Sequence, residues 1–181
     1  MRFRRNQAPP PYEPLQRTIE FAWRVHAAQE TWTAKVDAKA AIVLSLETAI
    51  LVVLLAAEAP HRLLGQLTGW RSVITDLGIG VYIMAMVLAA IAVIPLMGRT
   101  KKHRAEYDRN AIYFGHLRHW RHEELNQWLS RMNQDDELAQ LSRQLIELSR
   151  RNWHKHRSLQ LSMLTSLFGS AFIGIAVLVP R

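Results

Sequence analysis

Charge disappears from three stretches of the chain. Residues 40–57 are 18 positions with a single acid, Glu47, while residues 77–97 (21 positions) and 158–180 (23 positions) carry none. At about 1.5 Å rise per residue, 21 residues of helix span roughly 31 Å, the thickness of a bilayer's hydrocarbon core. Each stretch is apolar around its whole circumference, and a chain of 181 residues could not bury three such helices inside a soluble core. The pattern predicts an integral membrane protein with spans at about 40–57, 77–97 and 158–179.

Between the apolar runs the spacing is helical. Leu15, Ile19, Ala22/Trp23, His26/Ala27, Trp32 and Val36 mark one face of an amphipathic helix that leads into the first span. After the second span comes a basic run, Arg99, Lys101, Lys102, His103 and Arg104, which reads as a headgroup anchor. A second amphipathic helix is expected over about 106–132, with Trp120, Leu125, Trp128/Leu129 and Met132 on its apolar side. Asn133-Gln134-Asp135-Asp136 is rich in N-cap types and predicts a turn or a helix restart. Leu138, Leu141, Leu145 and Leu148 then recur at steps of three and four, and no Gly or Pro interrupts residues 135–168. That helix can run straight into the third span. Residues 1–14, with Pro9, Pro10, Pro11 and Pro14, form an extended leader. The expected fold is all-α: three transmembrane helices with long cytoplasmic helical extensions forming a bundle, as a single membrane-embedded helical domain over 15–181 with its cytoplasmic helical region at 98–157.

The first span is a retained one. Its 39 preceding residues include Glu13, Glu20, Glu30 and Asp37, too long and too acidic for a signal peptide, and Pro60 follows the small-x-small triplet Ala57-Glu58-Ala59. The chain is basic, 23 Lys+Arg against 15 Asp+Glu, and the excess is sorted. Residues 1–39 hold seven Lys/Arg, residues 58–76 two, residues 98–157 thirteen, and Arg181 stands alone. By the positive-inside rule the N-terminus and the 98–157 region are cytoplasmic and the C-terminus is outside. Topology and contact with the lipid bilayer account for the charge, and no nucleic acid polymer is expected as a partner.

There is no phosphate-binding glycine loop, zinc-protease motif or nucleophile elbow, and no cysteine, so neither a catalytic residue nor a cofactor is expected. His116, His119 and His122 fan over one helix at steps of three, but beside Arg118 and Arg121 they read as a solvated or headgroup-facing patch, and no metal is expected. Glu47 is seven residues into the first span, about 10 Å deep. A charge at that depth costs roughly 2–3 kcal/mol, so it faces protein or water: either a protonated, hydrogen-bonded carboxyl or a pore-lining group. Ser162, Ser166, Ser170 and Gly174 place a small residue every fourth position along the third span, with a weaker echo at Ala85 and Ala89. Such spacing lets helices approach closely, within one chain or between chains, and a homo-oligomer is the expectation.

Several local sequences fall in a familiar order. Asp37-Ala38-Lys39-Ala40 opens the first span, Tyr113-Phe114-Gly115-His116 follows the second, and Asp136-Glu137-Leu138, Gln144-Leu145 and Lys155 lead into the third. Over about residues 16–179 the chain resembles the Pycsar transmembrane effectors of bacterial anti-phage defence. The resemblance implies a membrane effector switched on by a cyclic pyrimidine nucleotide, cyclic UMP or cyclic CMP, that impairs the inner membrane of the infected cell. Nothing in the chain reads as a separate β-rich nucleotide-binding domain, so the nucleotide would have to bind the helices. Asp37, Lys39, Lys155 and Arg157, with Arg99, would meet at the cytoplasmic mouth of the spans. There the cations either hold a cyclic phosphate or form a belt of headgroup-binding side chains. The other reading is a membrane anchor or scaffold whose cytoplasmic helices bind a partner protein.

Overall fold

The computed structural model describes residues 13–95 and 100–179, apart from the side chains of 13, 14, 100 and 102. Residues 1–12 of the proline-rich leader, Arg99 and the last two residues lie outside it. All regular structure among the described residues is helical: α1 (Glu13–Ala57), α2 (Trp70–Val93), α3 (Thr100–Ala105), one 3-10 turn (Tyr107–Arg109), α4 (Phe114–Leu117), α5 (His122–Arg131) and α6 (Gln134–Leu178). α1, α2 and α6 are each long and apolar enough to cross a membrane.

Two helices of 45 residues follow from the absence of breakers. α1 runs from Glu13, with Pro14 tolerated in its first turn, to Ala57, three residues short of Pro60. The Asn133 side chain caps α6: its Oδ1 accepts the Asp136 N–H at 2.8 Å. The second span departs from the expected 77–97. α2 starts at Trp70 and ends at Val93, because Ile94 turns extended ahead of Pro95, as a residue before proline prefers to do.

The single helix expected over 106–132 is instead three short pieces. Residues 110–113 leave the helical path, and tertiary partners take over their backbone groups. Gln140 Oε1 accepts the Ala111 N–H at 3.0 Å, and the Trp120 indole donates to the Asn110 carbonyl at 3.4 Å. Gly115 then lets α4 press against Tyr113 and His103, where a Cβ would lie 2.4 Å from the tyrosine ring.

The chain forms two compact units, Met1–Thr31 with Leu96–Arg150, and Trp32–Pro95 with Arg151–Arg181. In the first, Trp120 packs on Tyr107 and Trp128 (ring centroids 5.4 and 5.5 Å), and the Trp23 indole donates to Glu137 at 2.9 Å. In the second, α1 and α6 run parallel and α2 antiparallel to both, as the pairs Thr33–Asn152, Glu47–Ser162, Ser158–Leu88 and Arg71–Ala176 require.

Each long helix carries one inward seam at alternating steps of three and four. On α6 it is Leu138, Leu141, Leu145, Leu148, Asn152, Lys155, Leu159, Ser162, Ser166, Gly169, Ile173 and Ala176, every one buried or half-buried. α1 keeps the same rhythm from Ile19 to Glu47 through His26, Thr33, Val36 and Ala40, and α2 keeps it from Thr75 to Ala92 through Gly78, Tyr82, Ala85 and Ala89. Composition along the seam changes with the solvent outside. The α6 seam is leucine where the outer face is polar, and small or polar where that face is apolar. Lipid gives apolar side chains no reason to turn inward, so close backbone packing and hydrogen bonds hold the spans. Leu46, Val53, Leu167 and Phe168 accordingly face outward, 58–66% exposed.

α2 and α6 approach closely at a pair of glycines. A Cβ on Gly78 would meet the Gly169 carbonyl at 3.1 Å and Ile173 at 2.8 Å, and one on Gly169 would meet the Gly78 carbonyl at 3.0 Å. Gly169→Leu is expected to cost about 1–3 kcal/mol through overpacking. Gly80→Leu, at a position with nothing within 4 Å, should cost none. Thermal unfolding of the two variants in detergent checks this.

Candidate functional site

Polar side chains on the α1 and α6 seams meet in three rungs. Outermost, Thr33 Oγ1 donates to Asn152 Oδ1 at 2.5 Å. One turn further, Lys155 Nζ donates to Asp37 Oδ1 at 2.5 Å, with Lys155 8% exposed and the Asp37 side chain 40%. Ten residues beyond Asp37, at membrane depth, Ser162 Oγ donates to Glu47 Oε1 at 2.7 Å, and both residues are buried. The second Glu47 oxygen is buried with no hydrogen-bond partner. Tyr82 of α2, 3% exposed, closes the same pocket of polar groups from the third helix, within electrostatic reach of Glu47.

The rungs are spaced by the helices themselves. On α1, 33 to 37 is about one turn and 37 to 47 nearly three; on α6, 152 to 155 is just under one turn and 155 to 162 about two. Between the second and third rungs the seam is apolar, with Val36, Ala40, Ala92 and Leu159 in one cluster. The ladder is thus wet at one end and dry at the other. At the far end, Arg71 donates to the Ala176 carbonyl at 2.7 Å and to Val177 at 3.1 Å. Those are carbonyls the last turn of α6 cannot satisfy itself, each expensive to leave bare in lipid.

Of the mouth residues expected to gather, the structure brings together Asp37 and Lys155. Lys39 and Arg157 are exposed, Arg157 beside Trp153, His156 and Gln160 in a shallow groove, and Arg99 lies outside the described residues. In the small-residue series, Ser162 and Ser166 sit on the seam. Ser170 is exposed, and Gly174 has open space around its α-carbon, because a step of four drifts off a 3.5-residue seam. The close intrachain contact falls instead on Gly169. The three histidines go separate ways. His116 packs on His103 at 4.8 Å and on Tyr113, His119 lies 6.3 Å from Tyr107, and His122 opens α5. No group of three metal-ligating side chains forms among the described residues.

Sequence reasoning passed over Thr33, Asn152, Tyr82 and Arg71. Asn152 was accessible, being four residues past Leu148 on the seam; Arg71 was not, because its carbonyl partners are 105 and 106 residues away.

A family model for the Pycsar effector protein domain matches residues 21–180, nearly the whole chain and every rung of the ladder. The chain belongs to the Pycsar effector family. It is therefore a membrane effector of anti-phage defence, and that family is one of effectors rather than of known enzymes. Searches of curated proteins and of solved structures give no match.

Two outcomes follow from this effector's polar pairs. Asp37→Asn leaves a mostly buried ammonium without its counter-ion, and the partly open site sets the cost at about 1–3 kcal/mol, between surface and fully buried pairs. Lys155→Met in the same chain should recover most of that, read from a double-mutant cycle of thermal unfolding. Beyond α1, burial and the neighbouring Asp76 carboxyl raise the Glu58 carboxyl above its ordinary value of 4.5. The folded chain then binds that proton more tightly than the unfolded one. The Glu58 contribution to stability should be greatest below about pH 4.5 and decline as pH rises through the raised value. Glu58→Gln should flatten the dependence of the thermal midpoint over that window.

Proposed function

We propose that a cyclic pyrimidine nucleotide, cyclic UMP or cyclic CMP, switches this effector on at the mouth of the α1–α6 ladder. The effector then oligomerises and impairs the inner membrane. Membership in the Pycsar effector family carries the reading, and the chemistry of the second rung supports a mechanism. Lys155 is held by one carboxylate oxygen of Asp37 and has further donors to offer. A cyclic phosphate competes with Asp37 for that ammonium, drawing in Lys39, Arg157 and Arg99, while the released Asp37 accepts a ribose hydroxyl. Exchanging the partner of Lys155 loosens the outer rungs and lets α1 and α6 move apart. Glu47, its hydrogen bond to Ser162 strained or broken, then meets water in the opened bundle. The exposed side of α6, at Ser170 and Gly174 with Ser166 at its edge, is the surface for a second copy. In this reading the N-terminus and residues 98–157 face the cytoplasm, where the nucleotide appears.

The bias required is modest. Taking the effector from 1% to 99% active needs about 5.5 kcal/mol of differential binding, within the range of a few charge-assisted hydrogen bonds.

Nucleotide binding and membrane potential, measured in the same cells, test the scheme. Lys39→Ala should weaken both binding and depolarisation by about tenfold with expression unchanged, since an exposed lysine adds little to folding. Glu47→Gln should bind nucleotide like the parent and differ only in depolarisation. A parent that binds neither cyclic UMP nor cyclic CMP would transfer the reading to a membrane anchor. A reporter fused after Arg181 should report from outside the cytoplasm.

A further inference from the structure

Away from the ladder, the unit made of Met1–Thr31 and Leu96–Arg150 contains a cavity of about 510 Å³, between α1, residues 111–112, α5 and the start of α6. That volume is in the range of small-molecule sites. Its walls are apolar and aromatic, with Trp23 from α1 and Trp128 and Met132 from α5.

Two carboxylates stand among the polar groups around it. Glu30 of α1 brings a largely exposed carboxylate and Glu137 of α6 another, one of whose oxygens receives the Trp23 N–H. His26 lines the cavity with only 7% of its surface exposed, and its Nε2 is buried with no hydrogen-bond partner. Its Nδ1 faces Glu30 Oε2 at 3.7 Å. Gln140 has spent its carbonyl oxygen on the Ala111 N–H. Among the described residues, no lysine or arginine lines the cavity.

Such an inventory selects a ligand by subtraction. An anion would meet two carboxylates and no cation, so a nucleotide's phosphate does not belong here. A small inorganic cation would leave the two indoles and the methionine unused. An organic cation uses all of it: ammonium groups bring donors and no acceptors, indole faces attract positive charge, and a methylene chain lies against the apolar wall. Carboxylates on separate helices, Glu30 and Glu137, suit two ammonium groups joined by such a chain. We propose that this cavity is a binding site for an aliphatic polyamine. Glu30 and Glu137 accept the ammonium N–H groups and balance the charge, and Trp23 and Trp128 cover the methylenes. The site requires nothing of the nucleotide reading, and either can fail without the other.

Titration calorimetry of spermidine into the full chain, held in zwitterionic phosphatidylcholine nanodiscs to remove anionic lipid, tests it. Saturable one-to-one binding is expected. Glu30→Gln, at an exposed position where folding is not at stake, should weaken it about tenfold, and Trp128→Leu comparably. Magnesium at equal charge should not displace spermidine. Absence of saturable heat, unchanged affinity in Glu30→Gln, or displacement by magnesium would each overturn the assignment.

Discussion

A carboxyl group about two turns inside an apolar span has to find its hydrogen bonds within the protein, because lipid offers none. Glu47 finds one from Ser162 at 2.7 Å, and that bond fixes how α1 is rotated about its axis relative to α6. Apolar surfaces inside a membrane slide and rotate at little cost, since every face is equally content with lipid. A single buried donor–acceptor pair removes that freedom. With Glu47 turned to Ser162, the 3.5-residue rhythm turns Thr33 to Asn152 as well, and Asp37, at the edge of the α1 seam, reaches Lys155. Buried polar pairs of this kind are best attested as register devices, which is how this one acts.

In the proposed scheme the same ladder makes the spans responsive. A bundle held by apolar burial alone would offer a soluble signal no handle, whereas a ladder with one end at the mouth does. The Asp37–Lys155 rung is partly open, strong enough to hold the helices and weak enough to be exchanged. Arg71, tying the last carbonyls of α6 to the start of α2, anchors the opposite end. In that scheme α6, tied to α2 at the far end, would pivot away from α1 at the outer rungs.

The spans were legible because charge-free runs of about 20 residues admit few other readings. The seam of α6 was legible only as far as Leu148. Up to there the outer face is polar, so leucine every third or fourth position stands out. Beyond it the outer face becomes apolar too and hydrophobic periodicity vanishes, although the seam continues through Asn152, Lys155, Ser162 and Gly169. Reading polar and small residues against an apolar background, at steps of three and four, would have recovered it. Counting by four from Ser162 instead led off the buried face to Ser170. The breaks at residues 110–113 were not legible at all, since Gln140 and Trp120 satisfy that backbone from elsewhere in the chain. The cavity of the first unit was equally hidden, assembled from four segments whose residues look unremarkable alone.

The central claim is that separation of α1 from α6 at the outer rungs is the activating movement. The chain has no cysteine, so Thr33→Cys with Asn152→Cys introduces a single possible bridge at the outermost rung. Membrane potential should be followed in cells carrying this variant, oxidised and then reduced, as cyclic UMP or cyclic CMP is supplied. The account predicts no depolarisation while the bridge is closed and a parental response once it is reduced. Depolarisation at the parental level with the bridge intact would contradict it.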